Sequence, residues 1–249
     1  MTETVRGTVR GMGSRANPAF AAGAILLPVL ALLLAATVGT REQHTYVHVM
    51  AGVLWTGIDL FMAMVLGPVL GGLAVDARSS VFERFTPKMT FLMPSLALVT
   101  IVGGITLALR VQVFPNAQPW LALFTAFTLL PALLSIGWQF DAFRDRRWLV
   151  AFGLSLLVSV AYLGTTLPAF EMTSHVIAVA LAIVTVLSVL GFGVLLPGEV
   201  KMYREMTSDD PDTEVISRIG MRNAKLAGVQ GVFQLAVVAS MVSLRYGGF

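Results

Sequence analysis

Seven stretches of the chain run for about 20 residues with almost no charge: 19–39, 44–72, 89–109, 120–140, 148–168, 174–196 and 223–244. Hydrocarbon offers the backbone no hydrogen-bond partners, so a crossing segment must close its own bonds, and about 20 residues of helix cover the ~30 Å core. The pattern therefore predicts an all-α fold, a polytopic membrane helix bundle of seven transmembrane helices. Polar residues gather in two places, the N-terminal segment 1–18 and the segment 197–222, which contains SDDPDTE and reads as a loop. Little remains for a soluble domain, and residues 1–249 are expected to form a single transmembrane helical domain.

Composition agrees. Hydrophobic residues make up 56% of the chain and charged residues 12%, where a soluble domain carries about 25% charge. The first apolar stretch follows Arg6, Arg10 and Arg15 as a signal peptide would, but its length exceeds the ~7–15 residues of a signal core, so a retained anchor is expected. Cysteine is absent, which excludes disulfides, thiolate metal sites and cysteine-held iron–sulfur clusters.

The placement of charge predicts the topology. Arg6, Arg10, Arg15, Arg78, Arg84, Lys88, Arg144, Arg146, Arg147, Lys201, Arg204, Arg218, Arg222 and Lys225 fall on one set of polar segments, 14 of the 17 basic residues. Arg41, Arg110 and Arg245 fall on the other set. Basic residues favour the cytoplasmic side, so the N-terminus is expected inside and the C-terminus outside, with 1–18 and 197–222 cytoplasmic in a multi-pass plasma-membrane protein. His44, His48 and His175, the only histidines, then all lie at the outer ends of helices.

The second stretch carries the most chemistry. His44, His48, Gly52, Trp55, Asp59, Met62 and Leu66 share one helical face, at spacings of 4, 4, 3, 4, 3 and 4. Polar groups are costly in lipid, so this stripe is expected to face the bundle interior. The last stretch has a similar face in Asn223, Ala227, Gln230, Gln234 and Met241, whose amides suit either interhelical hydrogen bonds or a cavity wall. Asp59 is the only carboxylate deep inside an apolar stretch, an intramembrane polar group together with Gln230 and Gln234.

Several readings of the histidines compete. His44 and His48, one turn apart, suit a shared zinc or copper ion. His48 and His175 suit the two axial positions of a haem, with Gly52 and Trp55 beside it. All three also suit an exposed interfacial position, which fits His44 best. A weak internal echo links HVMAGV at 48 to HVIAVA at 175, followed by VLGPVL at 65 and VLGFGVLLP at 189, and suggests a parallel repeat.

His48, Ala51, Gly52, Trp55, Gly57 and Phe61, followed by Gly67 and Pro68, resemble the first conserved helix of the superfamily that includes copper resistance protein D-type membrane proteins and HemJ-type protoporphyrinogen oxidases. FERFTPKMTFLMPSLALVTIVGGITLALR resembles that superfamily's second helix, and the resemblance covers about residues 44–140. It implies that His48 is a haem b ligand, as in HemJ-type members, or that the protein handles copper. Seven spans, a histidine at 175 and an aspartate at 59 depart from the HemJ pattern and argue against porphyrin oxidation itself.

The expected function is haem b binding near the outer membrane face through His48 and His175, with a redox or electron-transfer role. The alternatives are copper handling through His44, His48 and His175, or metal-free transport using Asp59. Expected partners are the lipid bilayer and a redox partner or a second copy of the chain. Nucleic acid is excluded because the basic residues are scattered along one membrane face rather than clustered with aromatics. No phosphate loop, nucleophile elbow or HExxH motif is present.

Overall fold

The computed structural model describes residues 5–112, 116–172 and 174–247, and all regular structure among them is helical. The helices are α1 (Val5–Ala16), α2 (Pro18–Thr37), α3 (Arg41–Gly71), α4 (Val75–Arg110), α5 (Ala117–Gln139), α6 (Arg146–Ala169, closing in a 3₁₀ turn), α7 (His175–Met206) and α8 (Thr213–Tyr246). The seven from α2 onward are each long and apolar enough to cross a bilayer. The protein is a multi-pass membrane protein, and its outer surface carries the apolar side chains that lipid requires, such as Leu27, Leu157 and Val158.

Sharp local signals set the helix ends. Asn17 separates α1 from α2 at φ 75, where asparagine is tolerated, and its side chain accepts from the Ala19 N–H at 3.0 Å with Pro18 in the first turn. Thr40 and Gln43 form a reciprocal capping box at the start of α3, at 3.2 and 2.8 Å. Arg78 closes the other end of α3. Its guanidinium donates to the carbonyls of Leu70, Gly71 and Leu73 at 2.9, 3.3 and 2.9 Å, and to Ser217 Oγ at 3.1 Å.

The segment 197–222, expected as a loop, is mostly helical. α7 runs on to Met206 and α8 begins at Thr213, leaving residues 207–212 as the connection. The N-terminal segment is also helical. α1 buries Thr8, Met12 and Ala16, and Gly11 leaves room for the Tyr203 hydroxyl while Arg15 lies over the Tyr203 ring at 5.7 Å.

Contacts divide the chain into two compact units, Met1–Leu107 with Leu195–Gly231, and Ala108–Val194 with Val232–Phe249. In the first unit α8 runs antiparallel along α3. A Cβ on Gly231 would meet Leu60 Cδ2 at 2.7 Å, one on Gly228 would meet Ala63 Cβ at 2.6 Å, and one on Gly67 would meet Ala224 Cβ at 3.8 Å. Small residues at the crossing allow this approach, as is usual where lipid supplies no hydrophobic drive between helices. Leu70, Phe82, Met202, Met206 and Ile216 form a core at one end of this unit, with Phe82 against Gly220. In the second unit α5 packs on α6 and on the first part of α7. There Trp148 lies over Gly137 and stacks on Phe152 at 5.2 Å, and Tyr162 donates to Gln118 at 2.6 Å.

Candidate functional site

The stripe on α3 faces inward as its spacing requires: His44, Trp55, Asp59 and Met62 are buried, while His48 and Gly52 are half-buried. The partner surface is a run of small and hydroxyl residues on α4, TIVGGIT at 100–106. The sequence reading used this run only for a family resemblance and did not pair it with α3. Threonines and glycines at helical spacing could have revealed it, since they are the residues that let two membrane helices close up.

His44 overturns the expectation that it is exposed at the interface. It is 1% exposed, and its Nε2 lies 3.1 Å from Thr106 Oγ1. The Thr106 hydroxyl has a single proton, which it gives to the Val102 carbonyl at 2.7 Å, so it accepts from His44 Nε2–H. The capping box at Thr40 fixes the rotation of α3 one turn earlier and so turns this ring into the bundle.

His48 is held differently. Its Nδ1 lies 2.9 Å from the Thr100 carbonyl oxygen. A carbonyl can only accept, so Nδ1 carries the proton and the Nε2 lone pair is presented on the other side of the ring. The ring rests on bare backbone. A Cβ on Gly104 would lie 2.9 Å from His48 Cε1 and 3.6 Å from Nε2, and one on Gly103 would lie 3.4 Å from His48 Cβ. Gly52 meets the Thr100 methyl in the same way, at 3.3 Å.

Deeper along α3, Trp55 is buried and Asp59 is 1% exposed. The antiparallel pairing of Leu60 with Gly231 and Ala63 with Gly228 puts Asp59 at the depth of residues 231–232, so Gln230, also 1% exposed, lies within about one helical turn of it along the axis. Asn223 and Ala227 continue this buried face of α8, and Gln234 is buried in the second unit. Met241, expected on the same face, is exposed.

Both halves of the sequence echo contain a π-helical turn. Met62–Leu66 precedes Pro68, and Gly191–Leu195 precedes Pro197. In each, the turn begins six residues before its proline. A proline has no N–H for the carbonyl four residues back and clashes with it, and the wider turn absorbs the misfit. The released carbonyl of Gly193 accepts from Gln139 Nε2 at 2.7 Å.

His175 opens α7 after Ser174, is exposed, and belongs to the second unit, whereas His44 and His48 belong to the first. The structure thus brings His44 and His48 together with Thr106 and Thr100, and Asp59 level with Gln230. Among the described residues no three histidine or carboxylate side chains gather in a metal-binding group.

One polar cluster has no counterpart in the sequence reading. Glu199 on α7 accepts from Asn223 Nδ2 at 2.9 Å through Oε1, while Oε2 is buried with no hydrogen-bond partner among the described residues. Asn223 Nδ2 also reaches the Leu195 carbonyl, at 3.4 Å, and Asn223 Oδ1 accepts from Arg222 at 3.3 Å. No family model, curated protein or solved structure matches the chain.

Proposed function

We propose that the protein binds haem b at the His48 end of the first unit and serves a redox or electron-transfer role in the membrane. The observation that carries this reading is the Nδ1–H bond from His48 to the Thr100 carbonyl, which fixes the tautomer and aims Nε2 for ligation. Axial histidines commonly have their second nitrogen tied in this way, which raises the basicity of the ligating one. The Gly103–Gly104 surface, where any side chain would crowd the ring, lets the imidazole pack against α4 in this orientation. A haem bound there would supply one-electron chemistry.

In this reading His48 would hold the iron, with Gly52 and Trp55 on the same face of α3, while His175, the expected second ligand, belongs to the other unit and takes no part in the argument. His44 acts through packing, because its Nε2 is engaged by Thr106. That engagement weighs against a copper ion shared by His44 and His48. On the charge pattern the site lies near the outer face of the plasma membrane, with a redox partner or a second copy of the chain supplying or taking electrons.

The test is an absorption spectrum of protein purified in detergent with haem supplied. A Soret band that is present in the parent and lost in His48→Ala supports the proposal. A colourless preparation that retains stoichiometric copper only while His44 and His48 are intact would replace it with copper handling. A second reading, metal-free transport, is favoured by the burial of Asp59 level with Gln230. In that case Asp59→Asn abolishes flux while His48→Ala does not.

A further inference from the structure

The Glu199 cluster lies wholly within the first unit and is used by neither reading above. Glu199 is reached by α4 and α8 as well as by its own helix. From α8 it meets Asn223 and, one residue back, the cation Arg222; from α4 it meets Thr86, whose hydroxyl points to Met202 Sδ at 3.8 Å; on α7 the nearest cation is Lys201. α4 brings no charged group to it: Thr86 and Pro87 are buried there, and Lys88 is turned to the Arg84 carbonyl at 3.0 Å.

The two carboxyl oxygens are therefore unequal. Oε1 receives an amide N–H, whereas Oε2, shielded from solvent, has no hydrogen bond of ordinary geometry; the Thr86 hydroxyl comes close enough to favour the anion but is directed at Met202 Sδ. A buried anionic oxygen without a donor has lost its hydration with nothing in return, and a proton on that oxygen removes the penalty. Arg222 does not answer this need, because its guanidinium donates to Asn223 Oδ1 and its side chain is exposed. A metal cation is disfavoured as well, since the nearest amide presents its N–H, and not its oxygen, to the carboxyl.

We propose that Glu199 is a proton-binding site of this protein, taking a proton on Oε2 from water at the arginine-rich end and releasing it to the same side or along the buried face of α8. That face continues through Asn223 and Ala227 to Gln230, about 10 Å further on at 1.5 Å per residue and level with Asp59. The π-helical turn before Pro197 is part of the device. It leaves the Leu195 carbonyl within reach of Asn223, so one amide holds both the turn and the carboxyl.

The test is infrared spectroscopy of the full-length protein in lipid vesicles, with and without glutamate labelled with ¹³C at the side-chain carboxyl. Near neutral pH the parent should show a protonated-carboxyl stretching band that moves on labelling, disappears in Glu199→Gln and persists in Asp59→Asn. Glu199→Asp, which keeps the acid at lower cost to the fold, should retain a band that glutamate labelling no longer moves. The proposal is overturned if the parent has no label-sensitive band, or if the band survives Glu199→Gln unchanged. Haem content plays no part in this measurement, so its outcome stands apart from that of the haem reading.

Discussion

At the scale of single residues, His44 and His48 show how neighbours on one stripe acquire different roles from what faces them. Their spacing put both on one stripe, although His44 was expected at an exposed interfacial position. What each ring nitrogen faces was not legible, because that depends on α4, where a hydroxyl faces His44 and a carbonyl faces His48. The glycines beneath His48 make a specific demand. Gly104→Ala places a methyl 2.9 Å from His48 Cε1, so the ring must tilt or the helices must part, and under the haem proposal retention of the group should fall about tenfold, ~1.4 kcal/mol. Titration of apo-protein with haem, followed at the Soret band, measures this, and unchanged affinity would mean the ring is not held by that surface. Thr106→Val should behave differently. It strands the His44 N–H in a dry site and should lower unfolding stability by ~1–3 kcal/mol while leaving haem affinity near that of the parent.

At the scale of elements, the prolines and arginines carry information that hydropathy does not. The segment 197–222 was read as a loop, yet the helix continues past Pro197 because the π turn and the Gln139 bond compensate for the lost donor. This compensation is testable as a coupling. Gln139→Ala removes the donor to the Gly193 carbonyl, but Gln139 Oε1 is itself buried without a partner among the described residues, so the single variant mixes a loss with a relief. In Pro197→Ala the backbone N–H returns and the same carbonyl regains a helical donor. A double-mutant cycle should therefore show the cost of Gln139→Ala falling by ~1 kcal/mol in the Pro197→Ala background, and strict additivity would refute the assignment. Arg78 is a second example. A sequence reading counts it as one more cytoplasmic charge, whereas the structure uses it to bind three carbonyls at the end of α3 and one hydroxyl on α8. Arg78→Ala should cost ~1–3 kcal/mol in an unfolding titration, and Arg78→Lys should recover little of it, because an ammonium cannot reproduce the planar fork.

At the scale of the whole molecule, seven spans were legible because lipid leaves a crossing chain no choice but helix, and apolar length measures it directly. The true lengths were not legible. α4 has 36 residues, α7 has 32 and α8 has 34, so each is about 48–54 Å long at 1.5 Å per residue and overruns a ~30 Å core by several turns. All three overruns fall on the same arginine-rich polar segments, 75–88, 197–206 and 213–222, where helix-period polar residues leave no hydropathy signal. If basic residues mark the cytoplasmic side, these extensions, α1 and the Glu199 cluster all belong to that side, and His44 and His48 belong to the other. The chain contains no cysteine, so single cysteines can be placed without a background to remove. Asp209→Cys, in the exposed connection between α7 and α8, should resist a membrane-impermeant maleimide added to intact cells and react once the cells are opened. Arg41→Cys, exposed at the start of α3, should react from outside without opening. The reverse pattern would invert the molecule and move the His48 site to the cytoplasmic face.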